Sequence, residues 1–103
     1  FGPVLIVLKA KDDADAVRLA NDTNYGLSAA VFGTDINRAY GIAAQIESGI
    51  CHINSSTVYD EGQMPFGGVK HSGHGRFGGK RAIDEFTETR WITIQSGHRH
   101  YPI

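Results

Sequence analysis

Gly73-His74-Gly75-Arg76-Phe77-Gly78 spells G-x-G-x-x-G. Between a strand and a helix, that spelling seats a dinucleotide pyrophosphate on backbone amides. The setting is absent here, because 18 residues separate Gly73 from Asn54, the end of the preceding apolar stretch. The motif also needs an acidic residue about 20 positions on to hold the ribose. Near Gln95 there is none, and Asp84, Glu85 and Glu88 come too early. A P-loop fails too: Gly79-Lys80 is followed by Arg81 rather than Ser or Thr, and His74 stands where its first Gly belongs. The glycines read instead as positions of positive φ and close backbone contact in a compact loop.

Other groups could do chemistry and are weighed the same way. Cys51 beside His52 has the composition of a thiol with a base, but strand neighbours point to opposite faces, so a structural Cys51 is expected. His71 with His74, and His98 with His100, lack the three or four convergent ligands a metal needs. Tyr59-Asp60-Glu61 carries acid-base groups and reads as a solvated loop, while Asn21, Asp22 and Asn24 read as turn formers. No complete catalytic set is visible, and no metal site is expected.

The elements that must position these groups follow from pattern. Residues 3–8 are apolar and β-branched and read as a buried strand. Asp12 or Asp13 can cap a helix with Ala16, Val17 and Ala20 on one face, stopping near Asn21. A second strand runs over 27–32. Thr34 or Asp35 then caps a helix with apolar Ile36, Ala39, Tyr40, Ala43 and Ile46, ended by Gly49. Residues 50–54 form a third strand. The β-α-β-α-β order predicts an α/β fold with parallel pairing. From Ser55 to Gly75 periodicity disappears, and a loop this long and glycine-rich is expected to be functional. Residues 76–86 read as a short helix. A last strand opens at Arg90 and closes at Gln95, with Trp91, Thr93 and Gln95 alternating against Ile92 and Ile94.

Bulk numbers bound the function. The 103 residues allow one domain, and 10 basic against 11 acidic side chains leave a net charge of −1, too weak a field for nucleic acid. The longest apolar run, residues 4–8, is too short for a membrane span. Cys51 is the single cysteine, which excludes an intrachain disulfide and fits a reducing, cytoplasmic compartment. The chain opens on Phe1-Gly2-Pro3-Val4 without an initiator Met, and reads as a fragment.

Four spaced motifs resemble the C-terminal part of the aldehyde dehydrogenase superfamily. They are Phe1-Gly2-Pro3, Asn21 through Ala29 with its Tyr25-Gly26-Leu27-Ser28 core, Glu47-Ser48-Gly49 with Asn54, and Pro65-Phe66-Gly67-Gly68-Val69-Lys70-His71-Ser72-Gly73-His74-Gly75-Arg76. Thr87-Glu88 through Ile94 matches the closing strand. Cys51-His52-Ile53-Asn54 and Gln63-Met64-Pro65-Phe66 look most like the branch acting on salicylaldehyde, vanillin or benzaldehyde.

The resemblance implies oxidation of an aldehyde to a carboxylic acid in a longer parent that uses NAD or NADP. There a thiolate attacks the aldehyde, hydride passes to the nicotinamide, and activated water hydrolyses the thioester. It places the nucleophile, the general base and the oxyanion donor upstream, so no catalytic residue is expected here. The isolated chain is expected to be inactive and without cofactor. Phe1 matches an aromatic residue near the nicotinamide ribose. Phe66 matches an aromatic wall of the substrate tunnel, and Thr57, Val58 and Tyr59 lie in the loop at its mouth. Asn54, Gly67, Gly68, Ser72, Gly73 and Arg76 map to scaffolding. Residues 1–86 would belong to the catalytic domain and 87–103 to an oligomerisation strand and tail, making a homo-oligomer through 90–95. The alternative is a non-catalytic truncated domain that folds and self-associates through that strand.

Overall fold

The computed structural model describes residues 2–102; Phe1, expected near a nicotinamide ribose, lies outside them. Helix α1, Asp13–Asn21, starts where Asp12 accepts the Asp15 amide at 2.8 Å, closing a free donor of the first turn. Strand β1, Tyr25–Gly26, and strand β2, Ser28–Val31, follow. Helix α2, Ile36–Ala43, is capped by Asp35, whose carboxylate accepts the Arg38 amide at 3.0 Å. Strand β3, Ile50–Ile53, pairs parallel with β2 in the register Ser28 to Ile50 and Val31 to Ile53. The crossover is α2, which packs on both strands and buries Ala39 to 2% exposure.

The second sheet is separate. Strand β4, Val69–Lys70, pairs antiparallel with β1, setting Tyr25 against Lys70 and Gly26 against Val69. Helix α3, Gly79–Glu85, ends the regular structure. The α/β reading and the β2-α2-β3 unit agree with expectation.

Five expectations need correction. Residues 3–8 form no strand: Val4 to Leu8 are 65–86% exposed and pair with nothing among the described residues. A strand is a ladder, and its hydrogen bonds need a partner that the described chain does not supply. The β-α-β-α-β order therefore shrinks to one parallel pair plus the antiparallel β1–β4 ribbon. Residues 90–95 are likewise irregular, with Trp91 88% exposed. Helix α2 stops at Ala43 rather than near Gly49, because Asn21 engages the chain beyond it: its side chain donates to the Gln45 carbonyl at 2.9 Å and accepts the Glu47 amide at 2.8 Å. Helix α3 begins three residues later than expected. Phe77 is instead held in an antiparallel bridge to Phe66, by bonds of 2.8 and 2.7 Å. Finally, residues 55–75 are organised by β4, this bridge and several turns.

Two glycines matter sterically. A side chain at Gly49 would overlap the Gly67 carbonyl, so β3 and the 66–68 segment can approach only through bare backbone. Gly78 has φ +80° and lies against the Met64 carbonyl.

The whole is open. Its radius of gyration is 21.0 Å, against about 13 Å for a compact chain of this length. Its accessible surface is 9188 Å², against about 5700 Å² for a compact monomer of this mass. Large apolar side chains stand exposed along residues 4–8, at Trp91, Ile92 and Ile94, at Phe32, Val58 and Phe86, and at Ile36 and Tyr40 of α2.

Candidate functional site

A cleft of about 400 Å³ lies between β3 and the loop that follows it. Ile50, Met64 and Pro65 line it with apolar groups, and Cys51, His52, Tyr59, Asp60 and Glu61 with polar ones. The loop is shaped locally. Ser56 accepts the Tyr59 amide through its carbonyl at 3.1 Å, and Thr57 accepts the Ser28 hydroxyl through its carbonyl at 2.8 Å. That second bond ties the loop to the first residue of β2.

Tyr59 is the pivot. Its hydroxyl donates to Glu61 Oε1 at 2.5 Å, and its ring meets the His52 ring edge-on at 6.0 Å and 87°. The Glu61 hydrogen bond and charge hold the Tyr59 phenol above its ordinary range, so it stays a donor. Gln63 donates to the other carboxylate oxygen at 2.6 Å. His52 Nε2 is buried without a hydrogen-bond partner. Cys51 is half-buried, and burial pushes its thiol up, the reverse of what a nucleophilic thiolate requires.

Of the residues the sequence singled out, Tyr59 lines the cleft. Thr57 contributes backbone, Val58 projects outward at 86% exposure, and Phe66 sits half-buried beside Pro65 in its bridge to Phe77. Glu61, read from the sequence as part of a solvated loop, belongs to the cleft's polar lining, and Gln63, outside that lining, bonds its carboxylate. The usable signal was the i, i+2, i+4 alternation of Tyr59, Glu61 and Gln63.

The residues expected as scaffolding, joined by Lys70, tie backbone segments together outside the cleft lining. Asn54, at φ +56°, donates its own amide to Val31 and pairs its side-chain amide with both backbone groups of Gly33 at 2.8 Å. Ser72 accepts the Gly26 amide at 2.9 Å. Lys70 reaches Glu47 at 2.5 Å and the Asn21 and Thr23 carbonyls at 3.0 and 3.1 Å. Arg76 donates to the Gly68 and Gly75 carbonyls at 2.9 and 2.7 Å.

Residues 73–78 do not fit a pyrophosphate. The Arg76 amide donates to Glu85 and the Phe77 amide to Phe66, and a Cβ at Gly75 would stand 2.6 Å from the Glu85 carboxylate. Donors already engaged, facing a negative charge, cannot cradle an anion. Among the described residues no group of three or more His, Cys, Asp or Glu side chains could hold a metal ion, and no helix is long and apolar enough to cross a membrane.

Comparison with known proteins places this geometry. The chain is 58% identical over 103 residues to a vanillin dehydrogenase of Pseudomonas sp. (strain HR199 / DSM 7063), covering 100% of this chain and 21% of that protein. It superposes with a TM-score of 0.91 and 52% identity on a salicylaldehyde dehydrogenase from Pseudomonas putida G7 complexed with salicylaldehyde, over 100% of this chain and 21% of the other. An NAD-dependent aldehyde dehydrogenase from Sinorhizobium meliloti matches with a TM-score of 0.88 and 37% identity, over 96% of this chain and 20% of its own. The chain thus spans about a fifth of the length of these relatives. The model of the aldehyde dehydrogenase family matches residues 1–92, so the chain belongs to the aldehyde dehydrogenase family.

Proposed function

We propose that this chain is the C-terminal segment of a cytoplasmic, NAD(P)-dependent enzyme that oxidises an aromatic aldehyde to its carboxylic acid. Within it, residues 1–86 complete the catalytic domain, and 87–103, irregular over its described residues in the isolated chain, form the segment and tail through which subunits associate. The observation that carries this reading is the 58% identity along all 103 residues to a vanillin dehydrogenase. The exposed strip over residues 91–94 and the thin core add support, since both fit a segment that packs against more protein. The same openness weighs against an autonomous, non-catalytic domain.

The chain's residues supply surface and support. Tyr59 and Phe66 present aromatic faces and edges suited to a planar ring. The Thr57 carbonyl bond to Ser28 and the Phe66–Phe77 bridge hold the segment that carries them, and Asn54, Ser72, Lys70 and Arg76 brace neighbouring backbone. The nucleophile, the general base and the nucleotide pocket lie elsewhere in the parent; Cys51, with its raised thiol, is no candidate. Phe1 stays proposed as the contact near the nicotinamide ribose, and Thr57 and Val58 as tunnel mouth.

The test replaces the corresponding C-terminal fifth of that vanillin dehydrogenase with this chain. The chimaera should form NADH from vanillin, salicylaldehyde or benzaldehyde, and the isolated chain should not. A soluble chimaera that binds nucleotide yet oxidises no aromatic aldehyde overturns the proposal.

A further inference from the structure

Glu61 has an unusual position for a carboxylate. It lines a partly apolar cleft, and no ion pair reaches it among the described residues. Its two oxygens are fixed by loop neighbours on either side, Tyr59 at 2.5 Å and Gln63 at 2.6 Å. A carboxylate offers about four acceptor positions, and these bonds use two. One position on each oxygen is left, held in place before any ligand arrives, so that little ordering cost attends binding. Asp60 adds a second acceptor to the same lining.

Building on the proposed function, we infer that Glu61 selects aromatic aldehydes that carry a ring hydroxyl, accepting the hydrogen bond of that hydroxyl. Chemistry sets the preference. An ionised carboxylate can only accept, and an aldehyde oxygen can only accept, so Glu61 turns the formyl group away and favours a donor elsewhere on the ring. A phenol is already the partner it takes in the structure, in the side chain of Tyr59. The formyl group withdraws electrons from the ring and makes the substrate's hydroxyl a stronger donor still. Hydrogen bonds to an ionised acceptor are roughly twice as strong as neutral ones. A methoxy group, larger by one methyl, has no proton to give and leaves the carboxylate facing a lone pair. Ile50, Met64 and Pro65 supply the apolar surface for the ring.

The experiment measures kcat/KM of the chimaera for benzaldehyde, the three hydroxybenzaldehydes and 4-methoxybenzaldehyde. It is repeated with Glu61→Gln, which keeps the shape and removes the charge, and with Glu61→Leu, which removes the acceptor. The number read is the preference for each hydroxylated ring over benzaldehyde. For at least one hydroxyl position that preference should fall about fivefold in Glu61→Gln and about tenfold or more in Glu61→Leu, with 4-methoxybenzaldehyde gaining relative to its hydroxy counterpart. If all substrates fall by a common factor, Glu61 only supports the loop, and the inference is overturned. An unchanged preference overturns it equally. Should the unsubstituted chimaera oxidise no aromatic aldehyde at all, the proposed function fails and takes this inference with it.

Discussion

Asn54 offers a quantitative test of the scaffold. It extends the β2–β3 pair by one rung, through its own amide to Val31 at 2.9 Å and two side-chain bonds to Gly33 at 2.8 Å. Its φ of +56° is tolerated by Asn and resisted by Ala. The two side-chain bonds are exposed, so each is worth about 0.5–1 kcal/mol, the low end of the usual range. The left-handed backbone adds about 1–2 kcal/mol for Ala. Asn54→Ala should therefore cost about 2–4 kcal/mol, and Asn54→Gly about 1 kcal/mol less because glycine accepts the φ. Asn54→Asp keeps an acceptor for the Gly33 amide and loses only the donor. The assay is amide hydrogen exchange in the chimaera, read on peptides covering 29–36 and 50–56. A loss of 2 kcal/mol accelerates exchange through local opening about 30-fold. The Gly33 amide should lose protection in the Ala and Gly variants and keep it in the Asp variant. Exchange in Asn54→Ala within twofold of the parent would refute the reasoning, because the clamp would then carry no free energy.

Four further outcomes are expected. Cys51→Ala should leave the chimaera's aldehyde oxidation in place, and at pH 7.5 iodoacetamide should alkylate Cys51 far more slowly than an exposed thiol, since burial holds it protonated. Gly49→Ala should cost about 3 kcal/mol or more, or abolish soluble expression, because the new methyl meets the Gly67 backbone; urea unfolding checks it. Asp13 is held below the ordinary carboxylate value of 3.8 by its hydrogen bond from Arg38, so the α1–α2 tie is present above that pH and fades as acid titrates the carboxylate. Accordingly, the gap in thermal midpoint between the chimaera and its Arg38→Gln variant should be present at pH 7 and shrink below pH 3.8. Trp91, 88% exposed here, should emit at the water-exposed wavelength in the isolated chain and shift to the blue in the assembled chimaera.

Local signals in the sequence were reliable wherever the cause was local. Each helix start was legible to within one of two residues, Asp12 or Asp13 and Thr34 or Asp35, and Asp12 and Asp35 are the ones that close on an amide three residues away. Strands β2 and β3 were legible because their own apolar runs mark them. The β1–β4 ribbon was not, since two-residue strands 44 positions apart leave no periodic trace. Asn21 looked like a turn former and is one, but its decisive partners are Gln45 and Glu47, which no window around residue 21 contains. Residues 3–8 and 90–95 have strand composition without strand structure, because composition records burial and the covering surface is not in the described residues. In the cleft, the resemblance pointed to Tyr59 and the sequence set Glu61 down as a solvated acid, whereas the part of Gln63 emerged only once the loop's geometry put it and Tyr59 on the Glu61 carboxylate.

The closure of β1 on β4 has a consequence for synthesis. The turn after α1 offers the Gly26 amide and the Asn21 and Thr23 carbonyls, and all three are met by Lys70 or Ser72. At roughly 5–20 residues per second, a ribosome needs about two to nine seconds to travel from that turn to its latch. The parallel pair and α2 emerge well inside the interval. A chain released between β3 and β4 would thus hold its β2-α2-β3 unit with the earlier turn unfastened, and a protease that senses open backbone would find it there, between Asn21 and Gly26.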